Sequence, residues 1–176
     1  MRPLILKMEM TVDGFVGQPD EEPGWPVEYF DDELTAYMVD LLSTAGVHAM
    51  GRVSYEGMAP HWMTSTEPIA APMNDIPKAV FSRTLERGEW PETTVYSDLE
   101  AGIAELKAQD GGPVIAHAGA GFAQQLTRLG LIDEYRLTVH PLAFGDGFPL
   151  FGGPVGLQLQ DVRRFPRGSV AYTYTA

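Results

Sequence analysis

The chain contains no cysteine, which excludes disulfides, thiolate nucleophiles and cysteine-ligated zinc. Basic residues are scarce: Lys and Arg number 12 against 24 Asp and Glu, a formal net charge of −12. Nucleic acid and anionic membrane surfaces are therefore not expected as partners, because like charge repels them. No apolar run suits a membrane span or a signal peptide, the opening MRPLILKMEM included, so a cytoplasmic location is expected. Internal repeats, low-complexity tracts and linkers are also missing. At 176 residues the stretch 1–176 reads as a single domain, since about 150 residues is a common domain size. The four histidines, His48, His61, His117 and His140, show no H-x-H or H-x-x-x-H spacing, so no metal site is expected.

What is present alternates. Leu4 to Thr11 is short and apolar, as a buried first strand would be, and Val12-Asp13-Gly14 breaks it with turn chemistry. A polar, Pro- and Gly-rich loop, GQPDEEPGWP, follows. Asp31-Asp32-Glu33 then supplies a cap and dipole-favoured acids for a helix carrying Leu34, Met38, Leu41, Leu42 and Ala45 on one face. Val47 to Met50, Ala79 to Phe81, Thr94 to Tyr96 and 113–117 read as strands, and residues 59–76, with three prolines, as a long loop. Ser97 to Glu100 matches a capping box before a helix with Leu99, Ile103 and Leu106. Phe122, Leu126 and Leu129 mark another helical face, closed by Gly130. After Asp133 the strand-like runs 135–140, 155–163 and 168–175 have no helix between them, which favours antiparallel pairing. The predicted architecture is α/β: a mixed sheet with helices on both faces and an antiparallel C-terminal edge.

Two strands turn through glycine into a helix, at Gly51-Arg52 and at Gly119-Ala120-Gly121. Such junctions place helix N-terminal N–H groups at the carboxyl ends of strands, where open α/β sheets bind ligands and where anions are favoured. Ser82-Arg83-Thr84 follows another strand and offers a guanidinium and two hydroxyls, suited to a phosphate monoester. Taken singly, each is more often a tight turn or a solvated charge. The full G-x-G-x-x-G fingerprint is absent, because Gln124 stands at the third glycine.

In this order, MEMTVDGFVG, MGRVSYEGM, AVFSRTL, VIAHAGAGFAQQL and LGLIDEYRLTVHPLAFGDGFPLF resemble the dihydrofolate reductase superfamily, in its branch related to the C-terminal reductase domain of riboflavin biosynthesis enzymes. The resemblance spans nearly the whole chain. It implies a dihydrofolate-reductase-like fold, NADPH as cofactor and a homodimer. By that resemblance Gly51, Arg52 and Ser54 face the cofactor phosphates, Ser54 standing where the family has Thr. Ser82 and Arg83 meet the 2′-phosphate, and Gly119, Ala120, Gly121 and Phe122 meet the pyrophosphate and nicotinamide side. Ala118 departs from the family by replacing the first glycine of a pair.

Thr11, Asp13, Trp25, Tyr55 and Trp62 are the expected substrate-pocket residues, although Asp13 is equally well read as a cap for its own turn. His61 is a further residue that could border that pocket. No catalytic residue is assigned. The acids Asp31, Asp32 and Glu33 read most simply as a helix cap, so folate reduction is less expected than reduction of a pteridine-like, pyrimidine-like or other small planar substrate. The rival readings are a nucleotide-binding module of the same fold without turnover, and a different α/β fold whose glycines only shape loops.

Overall fold

The computed structural model describes residues 1–19 and 24–176, so 20–23 of the Pro- and Gly-rich loop lie outside the described residues. In chain order the elements are β1 (Leu4–Thr11), β2 (Phe15–Gly17), a 3₁₀ turn (Trp25–Tyr29), α1 (Asp32–Ser43), β3 (Val47–Gly51), α2 (Arg52–Trp62), α3 (Ala70–Asp75), β4 (Lys78–Phe81), β5 (Thr93–Tyr96), α4 (Leu99–Ala108), β6 (Val114–His117), α5 (Ala120–Arg128), β7 (Glu134–His140), β8 (Phe148–Pro149), β9 (Gln158–Arg164) and β10 (Val170–Thr175).

Eight strands form one sheet in the order β5, β4, β3, β6, β1, β7, β10, β9. All pairings from β5 to β7 are parallel, whereas β10 runs antiparallel to both β7 and β9. The expected mixed sheet and antiparallel edge are both present. Side chains alternate across β1. Leu4, Leu6, Met8 and Met10 pack with Ile103, Leu106, Ala123 and Leu126 of α4 and α5. Ile5 instead joins Leu41, Tyr55, Ala59 and Met73 of α1, α2 and α3, so helices cover both faces.

The structure revises three local expectations. Residues 59–76 are half helical: α2 runs on through Pro60 to Trp62, and α3 contains Pro72 in its first turn. Burial of Ala59, with Met58 and Trp62 packed beside it, holds the last turn of α2 despite the missing proline N–H. The cap of α4 is Asp98 rather than Ser97: the Asp98 carboxylate accepts the Ala101 N–H at 2.9 Å, while Ser97 still belongs to the exit from β5. On α5 the buried positions are Ala123 and Leu126; Leu129 is exposed and Phe122 is only half-buried.

Candidate functional site

β3 and β6 lie side by side and parallel, pairing as far as Met50 opposite His117. β3 leads on to β4 and β5 at one edge, whereas β6 returns to the middle of the sheet, so their carboxyl ends bound a crevice where the strand order reverses. A cleft of about 770 Å³ opens there, within the roughly 300–1,000 Å³ usual for small-molecule sites. Gly51, Arg52, Ser54, Ser82, Arg83, Gly119, Ala120, Gly121 and Phe122 all line it. The fold thus gathers around one cleft all nine positions that the sequence suggested for a cofactor.

The glycines there are not demanded by the backbone. Gly51 and Gly119 have φ of −76° and −83°, open to any residue. A Cβ on Gly121 would meet nothing within 4 Å, and one on Gly119 only Ser54 Oγ at 3.9 Å. What their bareness does is leave the starts of α2 and α5 without a side-chain cap. The first N–H groups of both helices therefore lack intrahelical partners and favour an anion, helped by the helix dipoles. Ser54 ties the two starts together, its Oγ accepting the Gly119 N–H at 3.1 Å, which leaves its own proton to donate. Ala118 does not line the cleft; it packs against the core, so its methyl leaves the glycine wall untouched.

Around the rim, Arg83 is exposed and has no carboxylate partner within 4.0 Å among the described residues. Ser82 Oγ accepts the Thr84 and Leu85 N–H groups and so shapes the turn that presents Arg83. Arg52 folds back along α2 onto both oxygens of Glu56, at 2.9 and 2.7 Å. That pair is exposed and contributes at most about 1 kcal/mol, so a phosphate could displace it. Val53, Phe81, Ser97, Asp98, Leu99, Gln125 and Phe148 complete the lining without having been foreseen. Phe148 arrives only through pairing of β8 with β2, which local sequence does not announce.

The substrate-side expectations separate. Thr11 is buried, donating from Oγ1 to Asp13 Oδ1 at 2.6 Å and accepting the Phe15 N–H. Asp13 also accepts the Gly145 and Phe144 N–H groups, at 2.7 and 3.2 Å. The hydrogen bond from Thr11, followed by those from Gly145 and Phe144, holds its carboxyl below the usual range. Both residues therefore brace two loops. Trp25 lines a shallow second hollow with Gln18, Glu28, Leu142 and Phe144, and packs edge-on against His140. Tyr55 is corrected: it is buried in the α2-side core, its hydroxyl accepting the Trp90 N–H at 2.8 Å. Trp62 is corrected likewise, half-buried in the same cluster and on neither hollow, and His61 is exposed toward Glu67.

His48 and His117 form a buried pair on neighbouring strands. The Pro72 carbonyl can only accept, so His48 Nε2 carries the proton in their 3.1 Å contact. His48 Nδ1 then accepts from His117 Nε2 at 3.0 Å, which leaves His117 Nδ1 with a lone pair. Burial pushes His48 down to about 4 and His117 well below its ordinary value, aided for His117 by its neighbours His48 and Lys7.

The sheet order and the crevice define an α/β protein of the reductase-type, dihydrofolate-reductase-like class. The chain belongs to the RibD C-terminal domain family, whose pattern it matches over residues 2–171. It is 26% identical to the uncharacterized protein YyaP of Bacillus subtilis over 98% of this chain and 94% of that one. Its structure is similar to that of a putative riboflavin biosynthesis protein from a Shewanella species, with a TM-score of 0.76 at 19% identity and 98% of each chain covered. It is also similar to a deaminase/5-amino-6-(5-phosphoribosylamino)uracil reductase from Thermotoga maritima, with a TM-score of 0.72 at 16% identity, over 99% of this chain and 56% of that one. Among the described residues no helix is long and apolar enough to cross a membrane.

Proposed function

We propose that this chain is an NADPH-dependent reductase of a pteridine-like, pyrimidine-like or other small planar substrate. The observation that carries the reading is the pair of uncapped helix starts, on α2 and α5, that open into one crevice with a free Arg83 at its rim. A dinucleotide fits that donor set: the N–H groups around Gly51 and Gly119 to Phe122, with the Ser54 hydroxyl, would hold a pyrophosphate, and Arg83, on the turn that Ser82 shapes, a 2′-phosphate. When bound, the nicotinamide supplies a hydride. The chain's own part would be to anchor the phosphates through these groups, orient the bound cofactor and exclude water.

Assembly as a homodimer accompanies this reading. Every residue of the edge strand β9 is exposed, Leu159 and Val162 among them, and such an edge is commonly covered by a partner. Light scattering at micromolar concentration is expected to give the dimer mass, and monomer alone refutes it.

Titrating purified protein with NADPH while following nicotinamide fluorescence tests the cofactor assignment, and absence of binding overturns it. Cofactor consumption against a panel of pterins, pyrimidines and quinones then tests turnover. Binding without oxidation of the cofactor favours the nucleotide-binding module. One feature supports that alternative: Asp31 has spent its carboxylate on the Leu34 and Arg167 N–H groups, so the start of α1 offers no free acid from that residue.

A further inference from the structure

The second hollow lies apart from the cleft: the two share no lining residue. Its volume, about 580 Å³, is within the range usual for small-molecule sites. Trp25 and Glu28 of the 3₁₀ turn, Leu142 and Phe144 of the segment after β7, and Gln18 after β2 form its walls.

Those walls are braced. The Val12 N–H donates to the Leu142 carbonyl at 2.9 Å, and Asp13 accepts the Phe144 and Gly145 N–H groups. The Trp25 indole N–H donates to the Val16 carbonyl at 3.3 Å, and the ring packs edge-on against His140 and Phe144, with centroids 5.4 and 5.1 Å away. A hollow fixed in this way needs little ordering before it binds, which favours affinity.

The polar groups around the hollow are unequal. Its side-chain donors are engaged, the indole N–H on Val16 and Gln18 Nε2 on the Asp146 carbonyl at 2.9 Å. The Leu142 and Phe144 N–H groups are spent as well, on the His140 carbonyl and on Asp13. A carbonyl can only accept, so Asp146 fixes the Gln18 amide with Nε2 toward it and leaves Oε1 without a donor among the described residues. Glu28 is exposed, and its carboxylate has no cation within 4.0 Å among the described residues. Arg167 donates instead to the Glu28 main-chain carbonyl, at 2.9 Å. Partial burial, then the neighbouring Glu28 carboxylate, raises the Tyr29 hydroxyl above its ordinary value. A carboxylate accepts at two oxygens, so that hydroxyl does not exhaust it. The hollow therefore offers two acceptors, one of them charged, beside the rings of Trp25 and Phe144.

We infer that this hollow is a binding site for an organic cation: a primary ammonium or guanidinium on a short aromatic body, with its charge on Glu28 and Gln18 Oε1 and its body against Trp25 and Phe144. Such a ligand brings the donors that the hollow lacks. Aromatic rings attract cations through their faces, and a carboxylate adds a charge-assisted hydrogen bond. The formal net charge of −12 draws cations toward the surface and repels anions. The cleft, with its bare helix starts and Arg83, has the opposite preference, so the two sites sort ligands by charge.

The test titrates protein carrying ¹⁵N-tryptophan with phenethylamine and benzylguanidine, and with phenethyl alcohol and phenylacetate as neutral and anionic counterparts. The three tryptophans report separately: Trp25 lines the hollow, while Trp62 and Trp90 pack in the α2-side core and show that the fold is intact. At least one of the two cations is expected to move the Trp25 indole resonance saturably with the other two unmoved, and to bind about tenfold or more tightly than the alcohol. Phenylacetate should leave Trp25 unmoved. Glu28→Gln keeps the shape of an exposed side chain and removes its charge, so it should weaken that cation by about tenfold and leave the alcohol unaffected. Three results overturn the inference: neither cation saturates Trp25 below about 10 mM, the alcohol binds as tightly as the cation, or Glu28→Gln binds the cation as wild type does. None of these readouts depends on whether NADPH occupies the cleft.

Discussion

Helices α1 and α4 begin differently from α2 and α5. The first two are sealed by aspartate, Asp31 accepting the Leu34 N–H and Asp98 the Ala101 N–H, each at 2.9 Å. The second two begin at bare glycine with no side-chain cap. All four starts carry the same orphan donors and the same partial positive charge. At α1 and α4 the chain satisfies the start internally. At α2 and α5, whose adjacent starts share one crevice, both are left without a side-chain cap, and such starts favour an anion.

That contrast breaks most sharply if an open start is closed. Gly119→Asp places a capping carboxylate where the backbone already has cap geometry and only Ser54 Oγ, at 3.9 Å, is near. Two or so charge-assisted hydrogen bonds of about 1.5–3 kcal/mol each would be lost, so NADPH should bind at least about 100-fold more weakly. Stability should hold or rise by a few tenths of a kcal/mol. Fluorescence titration together with urea unfolding reads both, and unchanged affinity in the folded variant would return Gly119 to turn duty.

Acid should distinguish the open side next, because the His48 and His117 pair lies under it. Both are held below the ordinary 6.5, His48 at about 4, so the unfolded chain takes up protons first. Stability should be level above pH 6.5 and fall as pH drops toward 4, by roughly 3 kcal/mol for a shift of that size. Urea midpoints that stay constant from pH 8 to pH 4 would contradict this.

Arg83→Ala should weaken NADPH by about tenfold to a hundredfold, the worth of a charge-assisted contact of roughly 1.5–3 kcal/mol, and leave NADH nearly unaffected. Parallel changes for the two cofactors would mean that Arg83 does not read the 2′-phosphate. The smallest effect is expected at a sealed start: Asp98→Ala should cost about 1 kcal/mol of stability. Because it also removes a carboxylate from the cleft wall, NADPH should bind as well or slightly better. A clear loss of affinity would show that Asp98 serves the ligand and not only the helix.

Much of this was legible residue by residue. The glycine junctions, the aspartate start of α1 and the change to consecutive strands after Asp133 are local signals, and the structure has each in place. Tyr55 and Trp62 misled because an aromatic on a short helix reads alike whether it faces a cleft or a core; Trp90, many residues away, claims Tyr55.

The alternation of strand and helix, the antiparallel tail and the glycine starts follow from periodicity and from backbone preferences acting over a few residues. Which starts share a crevice, that β6 stops four residues short of β1, and that Glu9 meets His140 across 131 positions of chain depend instead on the assembled sheet. Those are consequences of strand order and register, which arise when the whole sheet buries its two faces at once and which no short window of residues encodes.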